Sequence, residues 1–266
     1  MRLFINHATN FEYDVAPSYG LLQVRMAPQS NVSQRVHNWA FEFHGARHQV
    51  SYLDQHGNQV DLIEVLPDAA RVEIKVEGMI ETLGDDGVLG RHFQAMPLWF
   101  YLRQTNLTKP NEAIAKLCED LPAQGDGDIA RLHALSERIL DQVAYVTGQT
   151  SVTTTAADAL ACGQGVCQDH THVFLSAARS LGYPARYVSG YLMMTDRTDQ
   201  DASHAWAEVS LDGLGWVGFD VSNGISPDQK YVRVAQGLDY ADIAPTRGVT
   251  RGAQRENLFV SIQVQQ

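Results

Sequence analysis

The chain has 266 residues, of which 44% are hydrophobic and 9% aromatic, so it can bury one large core or two smaller ones. This composition excludes disordered and fibrous proteins. The formal net charge is −11 at pH 7, which argues against nucleic acid as a partner because contacts to phosphates require clustered Lys and Arg.

No apolar run is long enough to span a bilayer, and the first residues show neither an apolar signal-peptide core nor a cleavage site. We therefore expect a cytoplasmic protein with no membrane partner. Its three cysteines, Cys118, Cys162 and Cys167, cannot all pair, and the cytoplasm keeps thiols reduced. At least one free thiol therefore has to be explained.

The first part of the chain has the pattern of a β-rich domain. Apolar and polar residues alternate from Arg2 to about Met79, which predicts six or seven short strands in an antiparallel sandwich. The clearest turn is DQHGN at residues 54–58, where Gly57 and Asn58 can adopt a positive φ. The segment GDDG at residues 84–87 interrupts the alternation.

That interruption predicts two domains, at residues 1–85 and 86–266. In the second domain, apolar residues at helical spacing predict helices from Ile129 to Val143 and from Gln168 to Leu181. Five extended segments follow, at residues 185–194, 204–211, 215–221, 230–235 and 257–264. Helices followed by a sheet indicate an α+β fold.

Cys167 lies directly after the segment GQGV and at the start of the second predicted helix. The unpaired N–H groups and the dipole of a helix N-terminus stabilise a thiolate, which makes a cysteine there a nucleophile at neutral pH. The upstream glycines leave room for a substrate at the sulfur. The alternative is a buried structural cysteine, so a catalytic interpretation requires a partner base.

His204 begins one predicted strand, and Asp220 lies near the end of the next. A three-residue loop at residues 211–213, with Ser210 facing Leu214, places His204 opposite Asp220 on one face of the sheet. A two-residue loop would place them on opposite faces. A lone His on a strand is usually a core or surface residue, but the combination with the helix-start cysteine favours a nucleophile, base and orienting carboxylate.

Three segments resemble the core of bacterial transglutaminase-like proteins: GQGVCQDHTHVFLSAARSLGYPARYVSGYL (163–192), SHAWAEV (203–209) and GWVGFDVSNG (215–224). This family consists of papain-like cysteine enzymes, and the resemblance implies a triad of Cys167, His204 and Asp220. The segments DQHGNQV (54–60) and DYADIAPTRGVTRG (239–252) resemble the β-rich domain before this core and the tail after it.

Two residues depart from the family pattern. His170 stands where CQDxxH carries an aromatic or apolar residue, and Val221 stands where many relatives carry Pro. Neither belongs to the triad. His170 changes the polarity beside the nucleophile, so it bears on substrate specificity more than on the chemistry.

A metal site is the competing interpretation, with candidate ligands Cys162, Cys167, Asp169, His170, His172 and His204. His170 and His172 are two residues apart on a helix and point in different directions, whereas zinc sites favour Cys-x2-Cys or His-x3-His spacing. We therefore predict no metal and no other cofactor. His172, which the family pattern shares, is expected behind Cys167 as a packing or hydrogen-bonding residue.

The reaction also needs donors for the developing oxyanion. The Cys167 backbone N–H is one, and Gln164 and Gln168 are candidates for the second. Trp206 lines an acyl site or packs the sheet, and packing is the preferred interpretation. The polar segment TDRTDQDAS (195–203) precedes His204 and is expected to be a mobile loop beside the site.

The sequence therefore predicts a cysteine enzyme that acts on a peptide or protein amide through a thioester acyl-enzyme. Hydrolysis by a peptidase or amidase is placed slightly ahead of transamidation to an amine acceptor. The alternatives are a non-enzymatic binding module on the same fold and, least favoured, a metal hydrolase. The sequence does not indicate an oligomeric state.

Overall fold

The computed structural model describes residues 1–84, 87–91, 96–122 and 127–266. The predicted domain boundary falls on Asp85 and Asp86, which lie outside the described residues, so the boundary stays a prediction.

The N-terminal part is built from six strands: β1 (Arg2–Tyr13), β2 (Tyr19–Ala27), β3 (Gln34–His44), β4 (Ala46–Leu53), β5 (Gln59–Val65) and β6 (Arg71–Thr82). They are 7 to 12 residues long, so the strands are longer than the sequence pattern suggested. Along β1 and β6 the buried residues alternate with partly exposed ones, as expected for strands with one face in a core.

Helices and a further group of strands follow: β7 (Val88–Gly90), a 3₁₀ helix (Leu98–Leu102), α1 (Glu112–Leu117), α2 (Asp128–Gln142), β8 (Ala144–Tyr145), α3 (Ala156–Cys162), β9 (Gln164–Gly165), α4 (Cys167–Ser180), β10 (Ala185–Leu192), β11 (Asp199–Gln200), β12 (His204–Leu211), β13 (Gly215–Phe219), β14 (Tyr231–Gly237), α5 (Tyr240–Ile243), β15 (Thr246–Arg251) and β16 (Glu256–Gln265). Both predicted helices are present, with ends within one residue of the prediction.

Among the described residues, three sheets of four or five strands form the framework of the molecule, and β8 and β9 form a small parallel pair. Sheet I has the strand order β11-β16-β1-β6-β3, sheet II has β15-β2-β5-β4, and sheet III has β14-β10-β12-β13-β7. Sheets I and II enclose one apolar cluster that contains residues of β1, β2, β5 and β6, among them Phe11, Val24, Ile63 and Ile74. This arrangement confirms the N-terminal antiparallel sandwich and the α+β class.

The last two strands return to the sandwich. β16 pairs antiparallel with β1 over ten residue pairs, from Phe4 opposite Gln265 to Tyr13 opposite Glu256. β15 pairs with β2 in the same way, from Thr246 opposite Val24 to Arg251 opposite Tyr19. Each sandwich sheet therefore contains a strand from the end of the chain.

α4 crosses one face of sheet III and is buried over most of its length. Its apolar side chains Val173, Phe174 and Ala177 belong to the same core cluster as Ala205, Ala207 and Val209 of β12. Because alternate residues of a strand face opposite sides, Trp206 and Glu208 face away from that cluster, whereas His204, at the start of β12, reaches its edge at Cys167. Within the described residues, no helix has the length and apolar character needed to cross a membrane.

The DQHGN turn joins the sandwich to sheet III. The Asp54 carboxylate accepts hydrogen bonds from the backbone N–H groups of His56 and Asn58, both at 2.9 Å, and Gly57 has φ +80°. Asn58 itself does not have a positive φ, contrary to the sequence prediction, because these bonds close the turn around Gly57 alone. The Asn58 side chain exchanges two 2.8 Å bonds with the backbone of Gln236 in β14.

Replacing Asn58 with alanine is expected to lower the free energy of unfolding by about 1–3 kcal/mol, because it leaves the buried N–H and C=O groups of Gln236 without these partners. Denaturant unfolding measures the effect. Asn38→Ala is the matched control, since the exposed Asn38 side chain bonds one backbone group, the Met79 N–H, at 2.7 Å. Equal losses in the two variants would contradict a special role for the DQHGN turn.

Candidate functional site

Cys167 is the first residue of α4 and is 9% exposed. The start of this helix is fixed by Asp169, whose Oδ2 atom accepts hydrogen bonds from the Val166 N–H at 2.8 Å and the Thr150 hydroxyl at 2.7 Å. The Thr171 hydroxyl donates to the Cys167 carbonyl at 2.7 Å. These contacts place the sulfur at the N-terminal end of the helix, where a thiolate is stabilised.

Gly165 leaves the space that the Asp169 side chain occupies. A Cβ atom added at Gly165 would lie 2.7 Å from the Asp169 Cβ and 2.9 Å from its Oδ2. Gly165→Ala is therefore expected to displace the carboxylate that caps α4 and to lower the free energy of unfolding by about 1–3 kcal/mol. Thermal unfolding tests this, and an unchanged midpoint would show that Asp169 adjusts without losing its bonds.

His204 and Asp220 meet on one face of sheet III, where Nε2 of His204 lies 2.6 Å from Oδ2 of Asp220. The predicted register is wrong in detail. Leu211 faces Gly215 and Ala207 faces Phe219, so the three-residue loop is 212–214 and Asp220 is diagonal to His204. The loop is displaced by one residue because Gly215, at φ +82°, packs directly on the backbone of Gly90.

The other side of His204 faces Cys167. Burial by itself would lower the pKa of His204, but hydrogen bonding to Asp220 and to Cys167, together with their charges, outweighs it and raises the pKa to about 10. His204 is therefore an imidazolium at neutral pH, which can give a proton to a leaving group. The structure thus brings the three predicted residues together around one imidazole.

Two residues of the site were not identified from the sequence. The Tyr231 hydroxyl donates to Asp220 Oδ2 at 2.6 Å, and the Asn223 amide donates to the same oxygen at 2.7 Å. Asn223 lies three residues after Asp220, a spacing that is common in side-chain turns and could have suggested it. Tyr231 gives no such local signal, because β14 and β12 are separated by β10 in the sheet.

The four remaining predicted residues lie at different depths around the triad. Gln164 is exposed on β9, and the Gln168 amide contacts the Ser151 carbonyl at 3.4 Å. His172 is fully buried, and its Nε2 accepts the Tyr240 N–H at 3.2 Å. Trp206 is also buried, with its ring 6.4 Å from that of His204. Their predicted roles at the substrate stay predictions.

Burial lowers the pKa of His172 to about 3, and the Arg179 charge adds to this effect. Its imidazole is therefore neutral, and the Tyr240 bond assigns the proton to Nδ1, which has no partner among the described residues. The ring packs against Tyr187, at a centroid distance of 5.2 Å. These contacts place His172 on the buried side of α4.

His170, the departure from the family pattern, is buried between two polar partners. Its Nε2 donates to the Val143 carbonyl at 2.9 Å, and its Nδ1 lies 2.8 Å from the Ser222 hydroxyl. The imidazole thus ties α4 to the end of α2 and to the turn after Asp220. Val221, the second departure, is buried in the apolar core.

The segment at residues 195–203 is anchored rather than free. Asp199 and Gln200 form β11 and pair with Gln263 and Ile262 of β16, and the Gln200 amide donates to the Leu192 carbonyl at 2.8 Å. The expectation of a loop is therefore wrong for Asp199 and Gln200, because their pairing with β16 makes them an edge strand of sheet I.

A buried charge cluster lies next to the triad, on the same face of β12. The Glu208 carboxylate accepts from Arg186 at 2.6 Å and from Arg233 at 3.0 Å, and the Arg186 guanidinium lies 3.8 Å above the Trp216 ring. Burial alone would raise the pKa of Glu208, but the two guanidinium charges outweigh it and lower the pKa to about 2.

A cavity of about 330 Å³ lies between the sandwich and sheet III. Ser33 and Leu83 line it on the sandwich side, and Trp206, Glu208 and Tyr231 line it on the sheet III side. Within residues 1–84, 87–91, 96–122 and 127–266, no three His, Cys, Asp or Glu side chains are grouped so as to hold a metal ion.

Comparisons with known proteins agree with this architecture. Residues 115–221 match the model of the transglutaminase-like superfamily, and residues 3–81 match that of the bacterial transglutaminase-like N-terminal region. An uncharacterized protein of Mycobacterium leprae (strain TN) is 27% identical, with 99% of this chain and 98% of the relative covered. One of Mycobacterium bovis is also 27% identical, with 99% and 91% covered.

A solved structure is also similar. The crystal structure of a "Putative Cysteine Protease" from Cytophaga hutchinsonii superposes with a TM-score of 0.72 at 17% identity, and the match covers 100% of this chain and 98% of that one. This likeness extends over both the sandwich and sheet III, so the two proteins share the whole fold.

Proposed function

Because the chain belongs to the transglutaminase-like superfamily and carries its bacterial N-terminal region, we propose that it is a cysteine enzyme that acts on amide bonds through Cys167, His204 and Asp220. The observation that carries this proposal is the position of the His204 imidazole, which contacts Asp220 on one side and Cys167 on the other. A buried structural cysteine has no need for an adjacent imidazolium.

In the first half of the reaction, the Cys167 thiolate attacks the carbonyl carbon of the amide and forms a tetrahedral intermediate. The C–N bond then breaks, and the His204 imidazolium gives its proton to the departing nitrogen. The products of this half are a free amine and a thioester on Cys167. His204 is left neutral, with Asp220 holding its ring through the Nε2 bond.

In the second half, neutral His204 takes a proton from water, and the resulting hydroxide attacks the thioester carbonyl. The C–S bond breaks, Cys167 returns to the thiolate, and a carboxylic acid leaves. An amine in place of water would give a new amide, which is transamidation. We place hydrolysis slightly ahead, with a peptide or protein amide as substrate.

The oxyanion of both intermediates requires donors near Cys167. Its own backbone N–H, at the start of α4, is the first candidate. The half-exposed Tyr145 is a candidate for the second, since β8 lies beside β9 and its phenol is within electrostatic range of Cys167. Gln164 and Gln168 remain the candidates from the sequence.

The proposal is tested with the full chain and 4-nitrophenyl acetate, an activated acyl donor that needs no specific recognition. We expect a burst of nitrophenolate and a mass increase of one acetyl group on Cys167. Cys167→Ala is expected to abolish both, whereas Cys162→Ala, which removes an exposed thiol, leaves them unchanged. Acylation that is equal in the two variants would contradict the proposal.

The same experiment separates the two outcomes of deacylation. With methylamine added, a transamidase yields N-methylacetamide in proportion to the amine, while a hydrolase yields acetate at every amine concentration. If the wild-type protein forms no acyl-enzyme, and if iodoacetamide modifies Cys167 no faster than Cys162, the non-enzymatic binding module is favoured instead.

A further inference from the structure

The Asp220 carboxylate has more partners than the orientation of one imidazole requires. Asp220 is 1% exposed, and its Oδ2 atom accepts three hydrogen bonds, from His204 at 2.6 Å, Tyr231 at 2.6 Å and Asn223 at 2.7 Å. The Asn223 backbone N–H adds a fourth contact, to Oδ1 at 3.3 Å. Two of the side-chain donors are therefore neutral groups outside the triad.

Tyr231 reaches this position because of the backbone of β10. Gly190 pairs with His204 on one side and with Arg233 on the other. A Cβ atom at Gly190 would lie 1.9 Å from the Val232 carbonyl oxygen and 2.9 Å from the Trp206 ring. The absent side chain thus leaves β14 and Trp206 close together over β10.

The Tyr231 ring also packs against the imidazole. Its centroid lies 5.9 Å from that of His204 and 5.5 Å from that of Trp206, the latter at an interplanar angle of 82°. Trp206 also packs against His204, with ring centroids 6.4 Å apart and an interplanar angle of 26°. Tyr231 therefore contacts both the base and its carboxylate.

The groups that face Asp220 differ in how they respond to the reaction. His204 alternates between the imidazolium and the neutral ring in the proposed mechanism, so its bond to Asp220 weakens once the proton has left. Tyr231 and Asn223 keep the same protonation state throughout. His170 on α4 and Tyr145 on β8 lie within electrostatic range of Asp220 without a hydrogen bond to it.

We propose that Tyr231, assisted by Asn223, is a positioning residue that holds the Asp220 carboxylate ionised and in place while His204 is neutral. This inference rests on the proposed function, since only a reaction that cycles the His204 proton requires it. Burial alone would raise the pKa of Asp220, but the bonds from His204, Tyr231 and Asn223 outweigh it and hold the pKa below its usual value.

The test is the titration of the Asp220 carboxyl carbon, followed by carbon NMR in the full-length wild type, Tyr231→Phe and Asn223→Ala. Because a donor to the ionised form favours that form, its removal is expected to move the midpoint upward, by about one pH unit for Tyr231→Phe. Asn223 is exposed, so a smaller shift of the same sign is expected there.

Tyr191→Phe is the matched control. Tyr191 is a buried residue of the same sheet, and its hydroxyl lies 2.9 Å from Nδ1 of His7, a histidine outside the site. This variant is expected to leave the Asp220 midpoint unchanged. An unchanged midpoint in Tyr231→Phe, or an equal shift in Tyr191→Phe, would overturn the inference. If Tyr231→Phe does not fold, the inference is tested with Asn223→Ala, and an unchanged Asp220 midpoint in that variant overturns it.

Iodoacetamide alkylation of Cys167 provides the second measurement. Its rate at pH 6 is expected to be lower in Tyr231→Phe, because a less firmly held Asp220 orients His204 less well, and to be unchanged in Tyr191→Phe. If iodoacetamide modifies wild-type Cys167 no faster than Cys162, the proposed function is contradicted. The Asp220 titration still tests separately whether Tyr231 stabilises the carboxylate.

Discussion

Replacing His204 with alanine is expected to slow iodoacetamide alkylation of Cys167 at pH 6 by about 10-fold or more. An ordinary thiol, with a pKa of about 8.5, is less than about 1% thiolate at this pH. The His204 imidazolium lies beside Cys167, where their hydrogen bond and charges raise the pKa of His204, and a positive charge next to a cysteine increases the reactivity of its sulfur. Part of the gain is offset, because a stabilised thiolate is a weaker nucleophile.

The measurement is the rate of modification at each cysteine, read by peptide mass across pH 5 to 9. Cys162, which is exposed, is the internal reference and should react at the same rate in both proteins. His44→Ala is the matched control, since the His44 side chain is 66% exposed and pairs with Glu73 at 3.8 Å. Equal alkylation rates of Cys167 in the wild type and in His204→Ala would show that His204 does not activate Cys167.

Glu208→Gln is expected to lower the free energy of unfolding at pH 7 by about 3–5 kcal/mol, which is the typical cost of removing one partner from a buried ion pair. The substitution removes the carboxylate that Arg186 and Arg233 share, and the Glu208 and Arg186 side chains are 2% and 0% exposed. Glu64→Gln is the matched control, because the 2.8 Å bridge between Glu64 and Arg47 is exposed. We expect a loss below about 1 kcal/mol there.

This effect depends on pH in a direction that follows from the lowered pKa of Glu208. The folded-state pKa of about 2 lies below the value of about 4.3 for an unfolded chain. Ionised Glu208 therefore stabilises the fold fully above pH 4.3, and the contribution is lost as the pH falls toward 2. Glutamine does not titrate, so the difference between wild type and Glu208→Gln should shrink between pH 5 and pH 2. A difference in the free energy of unfolding that stays constant over this pH range would contradict the lowered pKa of Glu208.

The local pattern of the sequence predicts most of the site's scaffold. Alternation predicts the strands of the sandwich, and the glycines before Cys167 mark the start of α4. The relation between His204 and Asp220 was harder to predict. Both Gly213 and Gly215 have a positive φ, and the packing of Gly215 on Gly90, a contact distant in sequence, selects which residues form the turn.

Contacts between distant segments account for what the sequence did not predict. Tyr231 reaches Asp220 because Gly190 has no side chain and lets β14 approach β10. Asp199 accepts a hydrogen bond from Gln263, which lies far along the sequence in β16. Neither contact leaves a periodic or local trace. Positions of this kind depend on strand order in the sheet, which no short segment of sequence encodes.

The strand order of sheet I also bears on how the protein is made. β1 leaves the ribosome well before β16, and it lies between β6 and β16 in the sheet. One edge of β1 therefore stays unpaired until residues 256–265 have been synthesised. Pairing over such a sequence distance slows folding and leaves backbone donors and acceptors open to other chains in the meantime. Nascent chains of this protein should accordingly depend on chaperones for longer than the size of the sandwich alone would require.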